Sequence, residues 1–291
     1  MLDDVTLIIK TFERPDALSR LLASIRDADF DGPVLIADDS KAPYRNTVLN
    51  EYGDLVTEYL CLPFNVGLSA GRNALLDRVQ TPYFVLNDDD FVYDAHTDLS
   101  WMREQLATTD LELLGGVVRE PDPVQWSALR QPTLKKTVRA LYDTTRTLLR
   151  NAWGPAYSTN RFHGDIETTG DTVALVHNDA PGASPFRRCD YTLNFFMADT
   201  AAVRSKVGGW AEELKLQEHW EFFYRAKNGG LRVAHSDEVG VRHLPDRTAH
   251  YDEYREHQAR YRRRGLALHG LRELRIGPLL RISVDPDGVP Q

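Results

Sequence analysis

Three consecutive aspartates, Asp88, Asp89 and Asp90, are the residues of this chain best suited to chemistry. They follow segment 81–85, whose aromatic and β-branched residues predict a buried strand. Adjacent carboxylates repel one another, and a bound divalent cation would remove that repulsion. Aspartate oxygens suit Mg²⁺ or Mn²⁺, which usually share their coordination with phosphates. Alternate residues of an extended chain face one side, so Asp88 and Asp90 can address one site; the alternative is an acidic turn that ends a strand.

Two further apolar segments also end in polar residues. Residues 5–9 predict a central parallel strand that leads to Thr11, and residues 34–37 predict a strand that ends at Asp39. Between them, residues 15–25 have leucine-type side chains at helical spacing after a proline, which predicts a helix.

A glycine-rich segment, 65–73, precedes a predicted helix at 74–79 and carries Arg72 where that helix begins. A helix N-terminus with a guanidinium can hold a diphosphate. Flexible glycines before a helix explain the same segment without any ligand.

Strands alternating with helices predict an open α/β sheet, and ligands of such sheets bind outside the carboxyl ends of the strands. We therefore expect one shared site at that edge. The side chains that would gather there are Thr11, Asp39, Arg72, Asp88 and Asp90.

The first 100 residues or so resemble the nucleotide-binding half of a GT-A glycosyltransferase, with Asp88–Asp90 where that fold carries its DxD metal motif. Several blocks resemble the β-1,4-N-acetylgalactosaminyltransferases that include ganglioside GM2/GD2 synthase, within the wider family-2 glycosyltransferases. The blocks occur in the order of that family and cover about residues 5–120 and 188–245. They are 10–14, 37–40, 65–73, 88–92, 194–198 and 214–223.

The resemblance implies a role for each matching residue. Asp39 would lie near the uracil ring, Arg72 near the diphosphate and Asp88 near the ribose, while Asp90 would coordinate Mn²⁺ or Mg²⁺. The donor-binding set that it implies is Thr11, Glu13, Arg14, Asp39, Arg72, Asp88 and Asp89, and the metal set is Asp90, Asp88 and His243.

His243 lies in segment 239–245, which alternates like a strand and ends in a proline. Several GT-A enzymes bring a histidine from a late strand back to the metal, and imidazole suits Mn²⁺ better than Mg²⁺. The alternative is an ordinary surface or core histidine, one of nine in the chain.

Transfer to a hydroxyl with inversion requires a general base. Relatives by resemblance carry an acidic pair on a helix below the acceptor site, and here that position reads Glu218-His219. We expect Glu218 to be the base, with His219 as the alternative. Acceptor contacts are predicted for Glu221, one turn along the same helical face, and for Trp210 and Trp220, whose indoles can stack on sugars or simply fill the core.

The composition is that of an ordinary globular protein, and a formal net charge of −8 argues against nucleic-acid binding. Cys61 and Cys189 have no metal-ligand spacing and imply no disulfide framework. The sequence shows no signal peptide and no apolar run of membrane-spanning length. We therefore expect a cytoplasmic enzyme, with contact to the inner face of the membrane through a basic tail as an alternative.

The predicted organisation is a GT-A α/β fold in one domain with four segments. These are a nucleotide-sugar-binding half (1–120), an acceptor-side insertion (121–187) with a helix near 134–149, an acceptor and catalytic half (188–248), and a basic helical tail (249–291). The activity that the resemblance implies is metal-dependent, inverting transfer of a sugar from a UDP-sugar to a glycan or glycoconjugate, with N-acetylgalactosamine as the sugar by resemblance alone. The alternatives are another UDP-sugar, namely glucose, galactose or N-acetylglucosamine, and an inactive nucleotide- or glycan-binding subunit. The sequence leaves the acceptor and the oligomeric state open.

Overall fold

The first half of the chain alternates strands and helices, in agreement with its apolar periodicity. The computed structural model describes residues 2–121, 157–160, 162–178, 185–246, 254, 258–277 and 280–284. Within them the helices are α1 (Pro15–Asp27), α2 (Arg45–Tyr52), α3 (Leu68–Leu76), α4 (Leu99–Thr108), α5 (Thr200–Lys206), α6 (His219–Asn228) and α7 (Gln258–Leu268). The strands are β1 (Val5–Thr11), β2 (Val34–Asp38), β3 (Glu58–Cys61), β4 (Tyr83–Asp88), β5 (Phe91–Val92), β6 (Leu113–Pro121), β7 (Tyr157–Asn160), β8 (Gly164–Thr169), β9 (Thr172–His177), β10 (Arg187–Cys189), β11 (Phe196–Asp199), β12 (Val233–His243), β13 (Glu273–Ile276) and β14 (Leu280–Ser283).

The central sheet has the order β10-β12-β6-β11-β4-β1-β2-β3, with β5 beside β12 and β7 beside β6. Strand β1 pairs in parallel with β2 and β4, β2 with β3, and β6 with β12. Strand β11 runs antiparallel between β4 and β6. This mostly parallel α/β sheet confirms the predicted GT-A-like fold class.

Strand β1 is buried along its whole length, as expected of a central strand covered on both faces. Helix α1 begins at Pro15, which suits a first helical turn, and its buried leucines Leu18, Leu21 and Leu22 form one stripe toward the sheet. These elements hold the carboxyl ends of β1, β2 and β4 at one edge.

Helix α3 begins earlier than the sequence predicted. Gly67 adopts a φ of 101°, a conformation that favours glycine, and the helix starts at the next residue, Leu68. Arg72 therefore lies within the helix rather than in a glycine-rich loop or a first turn. Its side chain projects from a rigid element.

The tail is not helical throughout, which corrects the prediction for 249–291. Strands β13 and β14 follow α7 and join β9 and β8 in a second sheet of order β14-β13-β9-β8. The apolar residues Leu266, Leu271 and Leu274 of this tail are buried in the hydrophobic core. The helix predicted near 134–149 lies outside the described residues. None of the helices in the described ranges is both long and apolar enough to span a membrane.

Candidate active site

The carboxyl ends of three parallel strands bring the predicted donor residues together. In the register of the sheet, Thr11 of β1 lies beside Asp38 of β2, and Lys10 of β1 lies beside Asp88 of β4. The three strand ends that the sequence placed at one edge thus meet there, and Arg72 reaches the same edge from α3.

Arg14 forms an ion pair with both Asp89 and Asp90. Its Nη1 donates to Oδ2 of Asp90 at 2.6 Å and its Nη2 donates to Asp89. Thr11 Oγ1 donates to Oδ2 of Asp89 at 2.7 Å. Burial raises the pKa of Asp89, whose side chain is fully buried. Asp89 therefore serves to hold Arg14 and Thr11, while Asp90 lies nearer the surface of the edge.

His243, at the end of β12, lies beside Asp90. Its Nε2 is 3.2 Å from Oδ2 of Asp90, and its Nδ1 is 3.5 Å from Oε1 of Glu120. Burial lowers the pKa of His243, but hydrogen bonds to Asp90 and Glu120 outweigh it and raise the pKa to about 10. Burial opposes ionisation of Asp90, yet His243 and Arg14 hold its pKa below the ordinary value. His243 and Asp90 come together because β12 pairs antiparallel with β5, which places His243 opposite Phe91, the residue after Asp90.

Asp90 and His243 could hold a divalent cation only if the cation displaces the proton that the raised pKa of His243 keeps on its ring near pH 7, because a metal-bound imidazole is neutral. Two ligands about 2.1 Å from a cation at right angles lie about 3 Å apart, which matches the separation of this carboxylate and imidazole. Within the described ranges, no group of three or more histidine, cysteine, aspartate or glutamate residues is arranged to hold a metal. A cation here would therefore depend on phosphate or water for its remaining ligands. The Asp88 carboxylate accepts hydrogen bonds from Arg72 and Asn194 instead.

Arg72 is the buried centre of a second ion-pair network. Its Nη2 donates to Oδ1 of Asp88 at 2.9 Å and its Nη1 donates to Oε1 of Glu218, the residue that precedes α6. The side chains of Arg72 and Glu218 are 1% and 3% exposed. Glu218, predicted as the base, is thus buried against a cation and turned toward Arg72.

Asp39 is buried and joined to Lys10. Lys10 Nζ donates to Oδ1 of Asp39, and the Gly67 backbone N–H donates to Oδ2 at 2.9 Å. Burial lowers the pKa of Lys10 despite this partner. Glu13 adopts a φ of 54° and its Oε1 accepts from the Lys41 backbone N–H at 2.6 Å. These contacts fix the ends of β1 and β2 around the predicted uridine position.

His219 lines a cavity of about 190 Å³ next to His243. Its Nδ1 lies 2.5 Å from Oδ1 of Asn194, and Asn194 Nδ2 lies 3.4 Å from Oδ2 of Asp88. Burial is the main cause that lowers the pKa of His219 to about 4, so the imidazole is neutral near pH 7. The other lining residues are Asp88, Phe91, Val118, Glu120, Asn160, Phe162, Leu193 and Asn194.

The residues predicted to bind the acceptor lie away from this cavity. Trp210 and Trp220 are only 4% and 3% exposed and belong to the hydrophobic core, so neither offers an indole face to a sugar. Glu221 is buried, and its carboxylate accepts from Arg225 at 2.7 Å and lies 2.8 Å from Nε2 of His269. It joins α6 to the tail instead of facing the cavity.

Several residues of the site carried no assigned role in the sequence. Lys10 and Asn194 each open a block that resembles the transferase family, so their position in those blocks was an available signal. Asn160 and Phe162 line the cavity from the segment with no recognisable pattern, and nothing in their sequence indicated it.

A mostly parallel sheet with acidic strand ends at one edge is typical of the GT-A-like fold. A model of glycosyl transferase family 2 matches residues 6–155. The chain belongs to glycosyl transferase family 2, which confirms the resemblance.

Individual relatives support this assignment. The chain is 32% identical over 221 residues to mouse β-1,4 N-acetylgalactosaminyltransferase 2, covering 75% of this chain and 35% of the relative. It is 33% identical over 239 residues to human β-1,4 N-acetylgalactosaminyltransferase 1, covering 82% and 38%. The chain thus spans less than two-fifths of the length of these curated relatives. The structure of S. aureus TarS 1–349 in complex with UDP-GlcNAc has a TM-score of 0.59 at 15% identity, covering 91% of this chain and 65% of TarS.

Proposed function

We propose that the chain transfers a sugar, with inversion, from a UDP-sugar to a hydroxyl of a glycan or glycoconjugate in a metal-dependent reaction. The observation that carries the proposal is the placement of Asp90 and His243 beside a cavity lined by the neutral His219. N-acetylgalactosamine is the proposed sugar, because relatives 32–34% identical are named for its transfer.

The donor would lie along the carboxyl edge of β1, β2 and β4. UDP is supported by the TarS complex with UDP-GlcNAc, whose fold this chain shares. Asp39 is proposed to accept from the uracil N–H; each carboxylate oxygen has two lone pairs, and Lys10 and Gly67 use one on each oxygen. Thr11 and Glu13 fix the loops on either side of it.

Asp90 and His243 are the proposed metal ligands. A bound Mn²⁺ or Mg²⁺ would supply charge stabilisation to the diphosphate leaving group. Asp88 is not proposed as a direct ligand, because Arg72 and Asn194 already hold its carboxylate. Arg14, which spans Asp89 and Asp90, can also donate to a phosphate oxygen at this edge.

The proposed base is His219 rather than Glu218. The acceptor oxygen forms a bond to the anomeric carbon as the bond from that carbon to the diphosphate oxygen breaks. The electron pair of that bond leaves with UDP, and the hydroxyl proton goes to the imidazole. A neutral histidine beside the cavity can accept that proton, whereas Glu218 would have to give up a buried ion pair with Arg72.

Release of UDP from four donors tests the proposal. The purified chain should release UDP fastest from UDP-N-acetylgalactosamine in the presence of Mn²⁺ and a panel of glycan acceptors, and chelation should abolish release. Asp90→Asn should remove the metal-dependent activity, while Asp77→Asn, an exposed residue just beyond α3, should retain it. Full activity of Asp90→Asn, or activity unaffected by chelation, would contradict the metal site. Faster release from UDP-glucose, UDP-galactose or UDP-N-acetylglucosamine would reassign the donor.

A further inference from the structure

Asn194 connects His219, the candidate base, to the carboxyl edge of β1, β2 and β4, where the donor is proposed to lie. It precedes β11, and its side-chain amide lies between Asp88 at the end of β4 and His219 at the start of α6. The Asn194 nitrogen is 3.4 Å from Oδ2 of Asp88, and its oxygen is 2.5 Å from Nδ1 of His219. The three side chains come from three separate elements, so the contacts depend on the folded sheet.

The hydrogen-bonding network fixes the orientation of this amide. The Asp88 carboxylate, already paired with Arg72 at 2.9 Å, can only accept hydrogen bonds. Rotating the Asn194 amide by 180° would place its oxygen against that carboxylate, with lone pairs facing lone pairs. The nitrogen therefore faces Asp88, and the oxygen faces the imidazole.

An amide oxygen at Nδ1 determines which imidazole nitrogen carries the proton. A neutral imidazole has one N–H. The Asn194 amide oxygen, 2.5 Å from Nδ1, favours that N–H on Nδ1, in competition with the Thr192 backbone carbonyl, which also accepts from this ring. The lone pair then resides on Nε2. The groups around the ring are the charges of Glu218, Arg72 and Asp88, the Thr192 backbone carbonyl, and the rings of Phe162 and Phe223. Burial is the largest cause of the low pKa of His219 and keeps the ring neutral.

We propose that Asn194 is a positioning residue that holds His219 in the Nδ1–H tautomer, so that the Nε2 lone pair is available to the acceptor hydroxyl. The inference rests on the proposed function for its catalytic consequence. The tautomer itself does not depend on that function. In the transfer step, the hydroxyl proton would pass to Nε2 as the oxygen bonds to the anomeric carbon, and UDP would leave with the electron pair.

Histidine tautomers can be read directly by ¹⁵N NMR. In ¹⁵N-histidine-labelled protein, long-range ¹H–¹⁵N correlations at pH 7 separate Nδ1–H from Nε2–H rings, and His219→Gln assigns the signal among nine histidines. We expect Nδ1–H for His219 in the native chain. Asn194→Ala should shift the ring toward Nε2–H, whereas Asn194→Gln, which keeps both the amide oxygen and the amide N–H, should preserve Nδ1–H. A native Nε2–H tautomer, or no change in Asn194→Ala, would overturn the inference.

Kinetics provide the second measurement. Asn194→Ala should lower kcat roughly 10- to 100-fold, the span for removing a residue that orients a functional histidine, with the donor KM within about twofold. Asn194→Gln should recover part of that loss. If Asn194 merely filled space, a variant that keeps the tautomer would not be expected to recover kcat. A change in the donor KM with unchanged kcat would overturn the inference. If Asn194→Ala does not fold, Asn194→Gln and the native tautomer still decide.

The two proposals can fail separately. A native chain that shows the Nδ1–H tautomer, loses it in Asn194→Ala, and yet consumes no UDP-sugar would overturn the proposed function while supporting control of the tautomer by Asn194. An active enzyme whose His219 is in the Nε2–H form would do the reverse.

Discussion

Replacing Arg72 with methionine should destabilise the protein strongly, because its guanidinium pairs with a buried carboxylate. Glu218 is 3% exposed and pairs with Arg72. Methionine keeps much of the length and apolar volume of arginine but removes the charge. Glu218 would then be left as a buried, unpaired carboxylate.

The magnitude follows from burial. Breaking a buried ion pair by removing one partner costs roughly 3–5 kcal/mol, which is a large share of a typical total of about 5–15 kcal/mol. The pair with Asp88 contributes less, because the Asp88 side chain is 29% exposed. Arg78→Met is the matched control. Arg78 is 50% exposed and lies 3.7 Å from Glu58, so its loss should cost less than about 1 kcal/mol.

Urea unfolding followed by tryptophan fluorescence measures both variants. The double variant Arg72→Met/Glu218→Met should recover most of the loss, because it removes the orphaned charge together with its partner. UDP affinity, measured in parallel, shows whether Arg72 also contacts the diphosphate. A loss below about 1 kcal/mol in Arg72→Met, or no recovery in the double variant, would refute the assignment of Arg72 as a buried structural cation.

Three further changes address the rest of the site. Asp39→Asn should weaken UDP binding by about 1–3 kcal/mol by calorimetry and also lower stability, because Lys10 loses its charged partner; unchanged UDP affinity would contradict the pocket. Burial lowers the pKa of His219 to about 4, below the ordinary 6.5, so the unfolded chain binds the proton first and stability falls as the pH drops through that interval. His219→Gln should remove roughly 2–3 kcal/mol of the acid loss between pH 7 and pH 4.5 in urea unfolding, and an identical pH dependence would contradict this. Glu221→Gln should cost about 2–3 kcal/mol of stability without changing the acceptor KM, because Glu221 binds Arg225 and His269; the opposite pattern would restore its predicted acceptor role.

The sequence predicts the strand ends well because each depends on local pattern. An apolar run followed by polar residues locates Thr11, Asp39 and Asp88, and the parallel topology of the sheet then brings them to one edge. The first residue of α3 was harder to predict from the sequence. It depends on Gly67 at a positive φ, which glycine permits but does not require.

Partners distant in sequence were not predictable from local pattern. Arg72 and Glu218 are 146 positions apart, and only the packing of α3 against the start of α6 makes them an ion pair. The same packing decides which of two adjacent residues faces the cavity, so the sequence alone ranked Glu218 above His219. Trp220 is a similar case, since an indole suits a core and a sugar site equally well.

At the carboxyl edge of β1, β2 and β4, acidic side chains are already paired with cationic side chains before any ligand binds. Asp39 pairs with Lys10, and Arg14 spans Asp89 and Asp90. Asp89 is fully buried and also held by Thr11, so it can keep its bond to Arg14 while Asp90, nearer the surface, exchanges partners. A phosphate oxygen that takes the Asp90 side of the guanidinium would free that carboxylate at the position where His243 faces it. Binding of a nucleoside diphosphate and exposure of the candidate cation ligands would then be coupled, so each should strengthen the other.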